Sequence, residues 1–222
     1  MAIVSFLLII TFTAIAQSPE RFYQNGKCGY RDKGGKTIIA PQYEAGSDFF
    51  EGRALVLKNG KRGFLDQTGT IAIPFIYEDA SAFHEGLARI VQKEKHGFIN
   101  HDGKIIIALK YDFADDFING LARVSINNKY GFIDNQGKTI IPLIYIEARN
   151  FSEKLSAVKQ GKWGFINTKG EIIIPMQYDE AFFFKDNIAA VKQDSKAFYI
   201  NNKGKFVKEI EKRKEEHERE KK

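Results

Sequence analysis

Cysteine is nearly absent. Cys28 is the single one in 222 residues, and one thiol closes no internal disulfide, so the chain is not a disulfide scaffold and holds no Cys-x-x-Cys motif. Its setting reads as a small, buried apolar side chain. Histidine is scarce too: His84, His96, His101 and His217 are all there are. His96 and His101 lie five apart, which on a strand turns them to opposite faces, so no shared metal is expected. Beyond the first sixteen residues no apolar run approaches the roughly 20 residues of a membrane helix. Neither charge sign dominates: 34 Lys and Arg stand against 28 Asp and Glu, a net +6. The basic residues are spread along the chain, which argues against nucleic acid. There is no Gly-x-Ser-x-Gly, no phosphate-cradling loop before a helix and no Cys-His pair in context. These absences point away from an enzyme, from a cofactor and from a metal site.

What the chain has in abundance is itself. A glycine recurs at Gly29, Gly63, Gly97, Gly131 and Gly164, in steps of 34, 34, 34 and 33. A second glycine follows six residues later each time, at Gly35, Gly69, Gly103, Gly137 and Gly170, with a further copy at Gly204. A fixed period of this size marks a repeat architecture.

Each period reads as three strands. The first is Leu121–Ile126 and its copies, with apolar and polar residues alternating as in a half-buried strand. Its small slot holds Ala54, Ala88, Ala122, Ser156 and Ala189, so a neighbour packs close there. The second is the segment around Trp163-Gly164-Phe165-Ile166. The third is Thr139-Ile140-Ile141 and its copies, rich in β-branched residues. Between the last two sits Asp or Asn, two residues, then Gly. The acid or amide caps the turn with its side chain, and Gly takes the positive-φ position. Gly35, Gly69, Gly103, Gly137, Gly170 and Gly204 are therefore structural. Pro74, Pro142 and Pro175 follow the third strand and should end its pairing. Tyr and Phe then alternate with Ala at three-residue spacing, which suggests a short helical turn. Acidic residues after the Tyr (Glu44, Glu78, Asp112, Asp179) are expected to cap that turn.

Gly161-Lys-Trp-Gly-Phe-Ile-Asn-Thr-Lys-Gly170, Ile174-Pro-Met-Gln-Tyr-Asp179 and Phe83-His-Glu-Gly-Leu-Ala88 resemble the WG-repeat family, over roughly residues 26–207. The Trp slot itself varies: Cys28, Arg62, His96, Tyr130, Trp163 and Ala197. The resemblance implies a bacterial, often exported, tandem β-repeat protein with no established activity, and it assigns no functional residue.

The expected fold is all-β: tandem three-stranded antiparallel meanders of about 34 residues, in an open curved array, with a closed propeller-like ring as the alternative. Six units are expected over residues 17–207. Arg21-Phe22-Tyr23-Gln24 supplies the first strand, and Ile188–Val191 with Ala197–Val207 forms the end cap. Residues 208–222 read as a solvated helical or disordered tail with Glu-to-Lys/Arg pairs four apart. Residues 1–16 carry no charge, and Ala14-Ile15-Ala16 fits a signal-peptide cleavage site, although a basic n-region is missing.

Six different side chains at one repeated position make a row, and variable rows on repeat scaffolds are binding surfaces. Arg62, His96, Tyr130 and Trp163 are the candidate row. The expected function is an exported, non-enzymatic scaffold for a protein or cell-envelope ligand, with no nucleic acid and no transmembrane segment after cleavage. A glycan-binding or glycan-active protein using exposed aromatic slots is the alternative. The sequence leaves the ligand and the oligomeric state open. Export carries its own check. Mass spectrometry of the native protein should find Gln17, or its pyroglutamate, at the N-terminus; an intact Met1 recovered from the cytoplasm refutes export.

Overall fold

The computed structural model describes residues 18–210. The predicted signal peptide and residues 211–222 of the predicted tail lie outside that range. Among the described residues every element is a strand, and the strands form six antiparallel sheets in chain order. The first sheet holds β1 (Glu20–Gln24), β2 (Lys27–Arg31) and β3 (Thr37–Tyr43). The second holds β4 (Ala45–Phe50), β5 (Arg53–Lys58), β6 (Lys61–Asp66) and β7 (Ile71–Tyr77). The third holds β8 (Asp79–Ala80), β9 (Ala88–Gln92), β10 (Lys95–Ile99) and β11 (Ile105–Tyr111). The fourth is built from β12 (Phe113–Ala114), β13 (Leu121–Ile126), β14 (Lys129–Asp134) and β15 (Thr139–Tyr145). In the fifth are β16 (Glu147–Ala148), β17 (Leu155–Gln160), β18 (Lys162–Asn167) and β19 (Ile172–Tyr178). The sixth closes the series with β20 (Glu180–Ala181), β21 (Ile188–Gln193), β22 (Lys196–Asn201) and β23 (Phe206–Glu209).

Three expectations change. The meanders carry a fourth strand in five of the six sheets. That strand occupies the stretch expected to be a helical turn: the chain runs straight from the last strand of one sheet into the first of the next. The backbone donors of Glu78 and Ser81 go to the carbonyls of Val91 and Arg89, which leaves none for a helix. The third correction concerns β23, which reaches Glu209, two residues into the stretch read as tail.

Sheets stack face to face, and the core is the set of five interfaces between them. Each repeats one pattern. Phe132, Ile141 and Tyr145 of the fourth sheet meet Ala148, Val158 and Ile166 of the fifth. Phe98, Ile107 and Tyr111 of the third meet Ala114, Phe117, Ala122, Val124 and Ile133 of the fourth. An aromatic pair recurs at every interface, from Tyr30–Phe49 at 5.1 Å between ring centroids to Phe165–Phe184 at 4.9 Å. The close packing foreseen for the small slot is real: Ala54, Ala88, Ala122 and Ser156 have no exposed surface.

The array is open, and its ends are built for water. The slot filled by Leu65, Ile99, Ile133, Ile166 and Ile200, all fully buried, holds exposed Arg31 in the first sheet, directly opposite exposed Glu20 in the small slot. At the other end the slot of Ile39, Ile73, Ile107, Ile141 and Ile174 holds exposed Lys208. Charges at these positions bar another sheet from stacking there without desolvating them.

The glycine of the Trp-Gly pair has a steric cause. Tyr130 pairs with Tyr145 and Phe132 with Ile141, so Gly131 alone faces three residues of β15. That bulge contains Pro142, and a Cβ on Gly131 would lie 2.5 Å from the Ile141 carbonyl oxygen. Proline therefore sits inside the strand, at the bulge where its missing donor is harmless, rather than ending it. The exception supports the cause. Phe198 replaces this glycine in the sixth sheet, whose outer strand lacks Pro and pairs Phe198 with Glu209 and Tyr199 with Lys208 without that bulge.

The hairpin turns follow the sequence reading. Asp134 Oδ1 accepts the amides of Gln136 and Lys138 at 3.0 and 2.9 Å. Gly137 has φ 80°, and its α-carbon packs over Ile107 of the preceding sheet. The acids after the Tyr slot cap a different turn from the one expected. Glu44 accepts the amides of Asn59 and Gly60, Asp112 that of Asn127, and Asp179 that of Asp194. Those are the tight, positive-φ hairpin turns of the next unit. A second ladder links loops one period apart: Glu51 accepts the Gly86 amide, Glu85 those of Asn119 and Gly120, and Glu153 that of Asn187.

Two measurements check this account. Gly131→Ala should destabilise by about 1–3 kcal/mol, as overpacking does, in urea unfolding followed by circular dichroism. A change within error would refute the close-approach argument. Acid should unfold the array. A Thr68 hydroxyl holds Asp66, two backbone amides hold Glu78, Lys95 holds Asp112 and Lys162 holds Asp179 below the usual carboxylate range. Folded values below unfolded ones give stability that is full above about pH 4 and lost as pH falls through the lowered values. The urea midpoint should drop below pH 4, and Glu78→Gln with Asp112→Asn should blunt the drop. A midpoint unchanged down to pH 2.5 refutes it.

Candidate functional site

The Trp slot lies at one margin of each interface, where the second long strand of a sheet meets the short first strand of the next. The slot is not uniformly exposed. Cys28 is fully buried, Trp163 is 5% exposed, Arg62, His96 and Tyr130 are half-buried, and Ala197 is exposed. The structure therefore brings the four candidate residues onto one seam, with the indole the most covered of them.

Each stretch of the seam has its own chemistry. Where the second sheet meets the third, Arg62 donates to Asp79 at 2.6 Å and Arg89 to the other oxygen of the same carboxylate at 3.1 Å. Arg89 also approaches Asp116, at 3.8 Å. Where the third meets the fourth, His96 lies 6.0 Å from Phe113, between ring centroids. Its Nδ1 is buried without a partner, and burial holds the imidazole below its usual pKa. Arg123 pairs with Asp115 at 2.7 Å, donates to the Ala148 carbonyl and spans the rings of Phe113 and Tyr130 at 5.2 and 5.7 Å. Where the fifth meets the sixth, Arg149 lies between Trp163 and Phe182, 5.1 Å from each ring centre, fixed by its Nε donating to the Ala181 carbonyl at 2.8 Å. Such desolvated cation–π contacts are worth about 2 kcal/mol at best. Phe182 and Phe183 stand out at 44 and 56% exposed.

The first interface is different. Cys28, Ala45 and Gly46 are small, and a cleft of about 280 Å³ opens there between Arg21, Ser47, Leu55 and Arg62. A Cβ on Gly46 would come within 2.5 Å of the Tyr30 hydroxyl, so the narrow backbone is required.

Sequence reasoning found the row but missed its partners. Arg89 and Arg123 occupy a strand slot otherwise held by Leu55, Ala157 and Ala190; Arg149 and Phe182 occupy one held by Ser47 and Ser81. The available signal was departure from the repeat, slot by slot. Charges on the seam are mostly matched. Among the described residues no three His, Cys, Asp or Glu are placed to hold a metal, and no described helix could cross a membrane.

Known proteins bear on this geometry in three ways. No protein of curated function matches the sequence. Among solved structures the chain is similar to Hsv2 of Kluyveromyces marxianus, with TM-score 0.50, 10% identity, and 89% of this chain and 72% of that one covered. It is similar to a eukaryotic initiation factor, with TM-score 0.51, 12% identity, and 85% and 62% covered. At such identities the likeness is one of fold alone. The extracellular domain of the putative one component system BT4673 from B. thetaiotaomicron, with TM-score 0.43, 10% identity, and 86% and 32% covered, is too distant to bear on function. The model of the WG containing repeat matches residues 29–61, 63–95, 97–130, 130–162 and 163–196 in tandem. With five matched units, one for each Trp-Gly glycine and its sheet, the chain belongs to the WG-repeat family.

Proposed function

We propose that the protein is an exported, non-enzymatic scaffold that binds a protein or cell-envelope partner along this seam. The observation that carries the reading is the non-repeating stripe of arginines and aromatics on a repeating frame, ending in exposed Phe182 and Phe183 beside Arg149. Aromatic and Arg side chains dominate binding hot spots. Arg149 and Arg123 are already ordered by backbone carbonyls, so little side-chain entropy remains to be lost on binding. The uncharged apolar start and Ala14-Ile15-Ala16 support export. A glycan ligand is the second reading, favoured by the exposed phenylalanine pair.

The test separates partner binding from folding. Phe182→Ala with Phe183→Ala should cost under about 1 kcal/mol in stability, because both rings are largely in water. It should weaken capture of a defined partner from envelope extract at least tenfold. Trp163→Ala, by contrast, empties a buried site and should cost about 3–5 kcal/mol. Capture unchanged in the double variant refutes the seam as the binding surface; a saturable hit on a glycan array, lost in the double variant, transfers the site to the glycan reading.

A further inference from the structure

The first sheet is short of one strand, and the five other sheets show what would fill the gap. In each of them a short strand pairs with the outer edge of the first long strand through two backbone donors. At the third sheet Glu78 donates to the Val91 carbonyl and Ser81 to that of Arg89; at the fourth, Asp112 and Asp115 donate to Ser125 and Arg123; at the sixth, Asp179 and Phe182 donate to Lys192 and Ala190. In the first sheet the corresponding carbonyls belong to Tyr23 and Arg21. Among the described residues neither has a donor, and both residues are exposed. An open edge of this kind is a template for an added strand.

A second vacancy lies beside the first. The residue that leads into each short strand is Glu44, Glu78, Asp112 or Asp179, and its carboxylate caps the amides of the adjoining hairpin turn. Ile146 is the exception, in the unit whose turn is one residue shorter. The first sheet has the same positive-φ turn, Asn25-Gly26 with φ 50° and 72°. No carboxylate caps its amides among the described residues. Two residues after the acid, the internal copies all carry a small side chain: Gly46, Ala80, Ala114, Ala148 and Ala181.

We propose that the β1 edge is a docking site for an extended segment of another protein bearing Asp or Glu, any residue, then Ala or Gly. This goes beyond the seam reading and does not depend on Phe182 or Phe183. Charge favours such an acidic partner: Arg21, Lys27, Arg31, Lys33 and Lys36 face only Glu20 and Asp32 in this unit. The chain's own sequence fits the vacancy poorly. Pairing of Ile210 beside Ala197 would carry Glu211-Lys212-Arg213 into the pattern, with arginine where only Ala or Gly occurs.

The probe is a labelled peptide copying residues 76–83, Ile-Tyr-Glu-Asp-Ala-Ser-Ala-Phe, titrated into the full chain by fluorescence anisotropy. Hydrogen exchange is read at Asn25 and Gly26. Saturable binding with slowed exchange at both amides is expected. Methylating the two peptide nitrogens that stand for Glu78 and Ser81 should weaken binding about tenfold, the worth of two modest hydrogen bonds. Replacing the peptide's Glu by Gln should remove the protection at Asn25 and Gly26. All changes are in the peptide, so the fold of the protein is untouched. No binding at millimolar peptide, or binding indifferent to methylation, overturns the proposal. Competition by a peptide of residues 208–222 that protects the same amides also overturns it, by giving the edge to the chain's own tail.

Discussion

A single antiparallel sheet of this size cannot bury its own face, and everything else in the molecule follows from how each sheet covers the last. The contact is the same at all five interfaces: a Phe or Tyr and an Ile from one sheet, and a small residue, a β-branched or similar residue and a second Phe from the next. Burial of such side chains stabilises by roughly 1.5–3 kcal/mol each. It is collected between neighbours only, so stability is close to a sum over interfaces. The carboxylates on the loops work to the same end. Glu85 reaching Asn119 and Gly120 ties one period to the next at 2.6 and 2.8 Å, and it does so at the surface, where the cores do not reach.

The Trp-Gly glycine shows how that stacking disciplines a single sheet. To present Ile141 to one neighbour and turn the chain toward the next, β15 bulges at Pro142, and the bulge presses against Gly131. Glycine is needed for space, not for backbone freedom: these glycines are absent from the positive-φ set, whereas Gly35 and Gly137 are in it. Two glycines six residues apart thus answer different physical demands. The sixth sheet has no successor to feed, and it drops glycine, proline and bulge together.

The period, the hairpin turns and the identity of the buried slots were legible in the sequence because each is local or repeated. Asp134 capping its own turn needs only four residues of chain. The strand at Asp79–Ala80 was not legible, since Ala80 at three-residue spacing from Tyr77 and Phe83 reads equally as a helical turn, and only pairing with Ile90 of a different segment decides it. The role of Glu44 and Asp112 was misplaced for the same reason: their partners lie fifteen residues on, in the next unit. The seam's cations were hidden by the repeat itself. Arg123 is ordinary as a strand residue and gains meaning only when Phe113, Tyr130 and Asp115 are found around it.

That seam is variable because it sits where the stacking constraint relaxes. Inward of it, a change in volume disturbs two sheets at once, and the slots are uniform. At the margin the Trp slot touches the core on one side and solvent on the other. Cys28 can be swallowed, Arg62 can be held by Asp79, and Trp163 can be roofed by Arg149 without altering the register of any strand. A repeat protein acquires individuality at such a margin. The frame fixes where each side chain starts, roughly one slot per sheet, and leaves its chemistry free. The result is a line of six distinct positions whose spacing is set by sheet stacking and whose affinity is set by the residues placed on it.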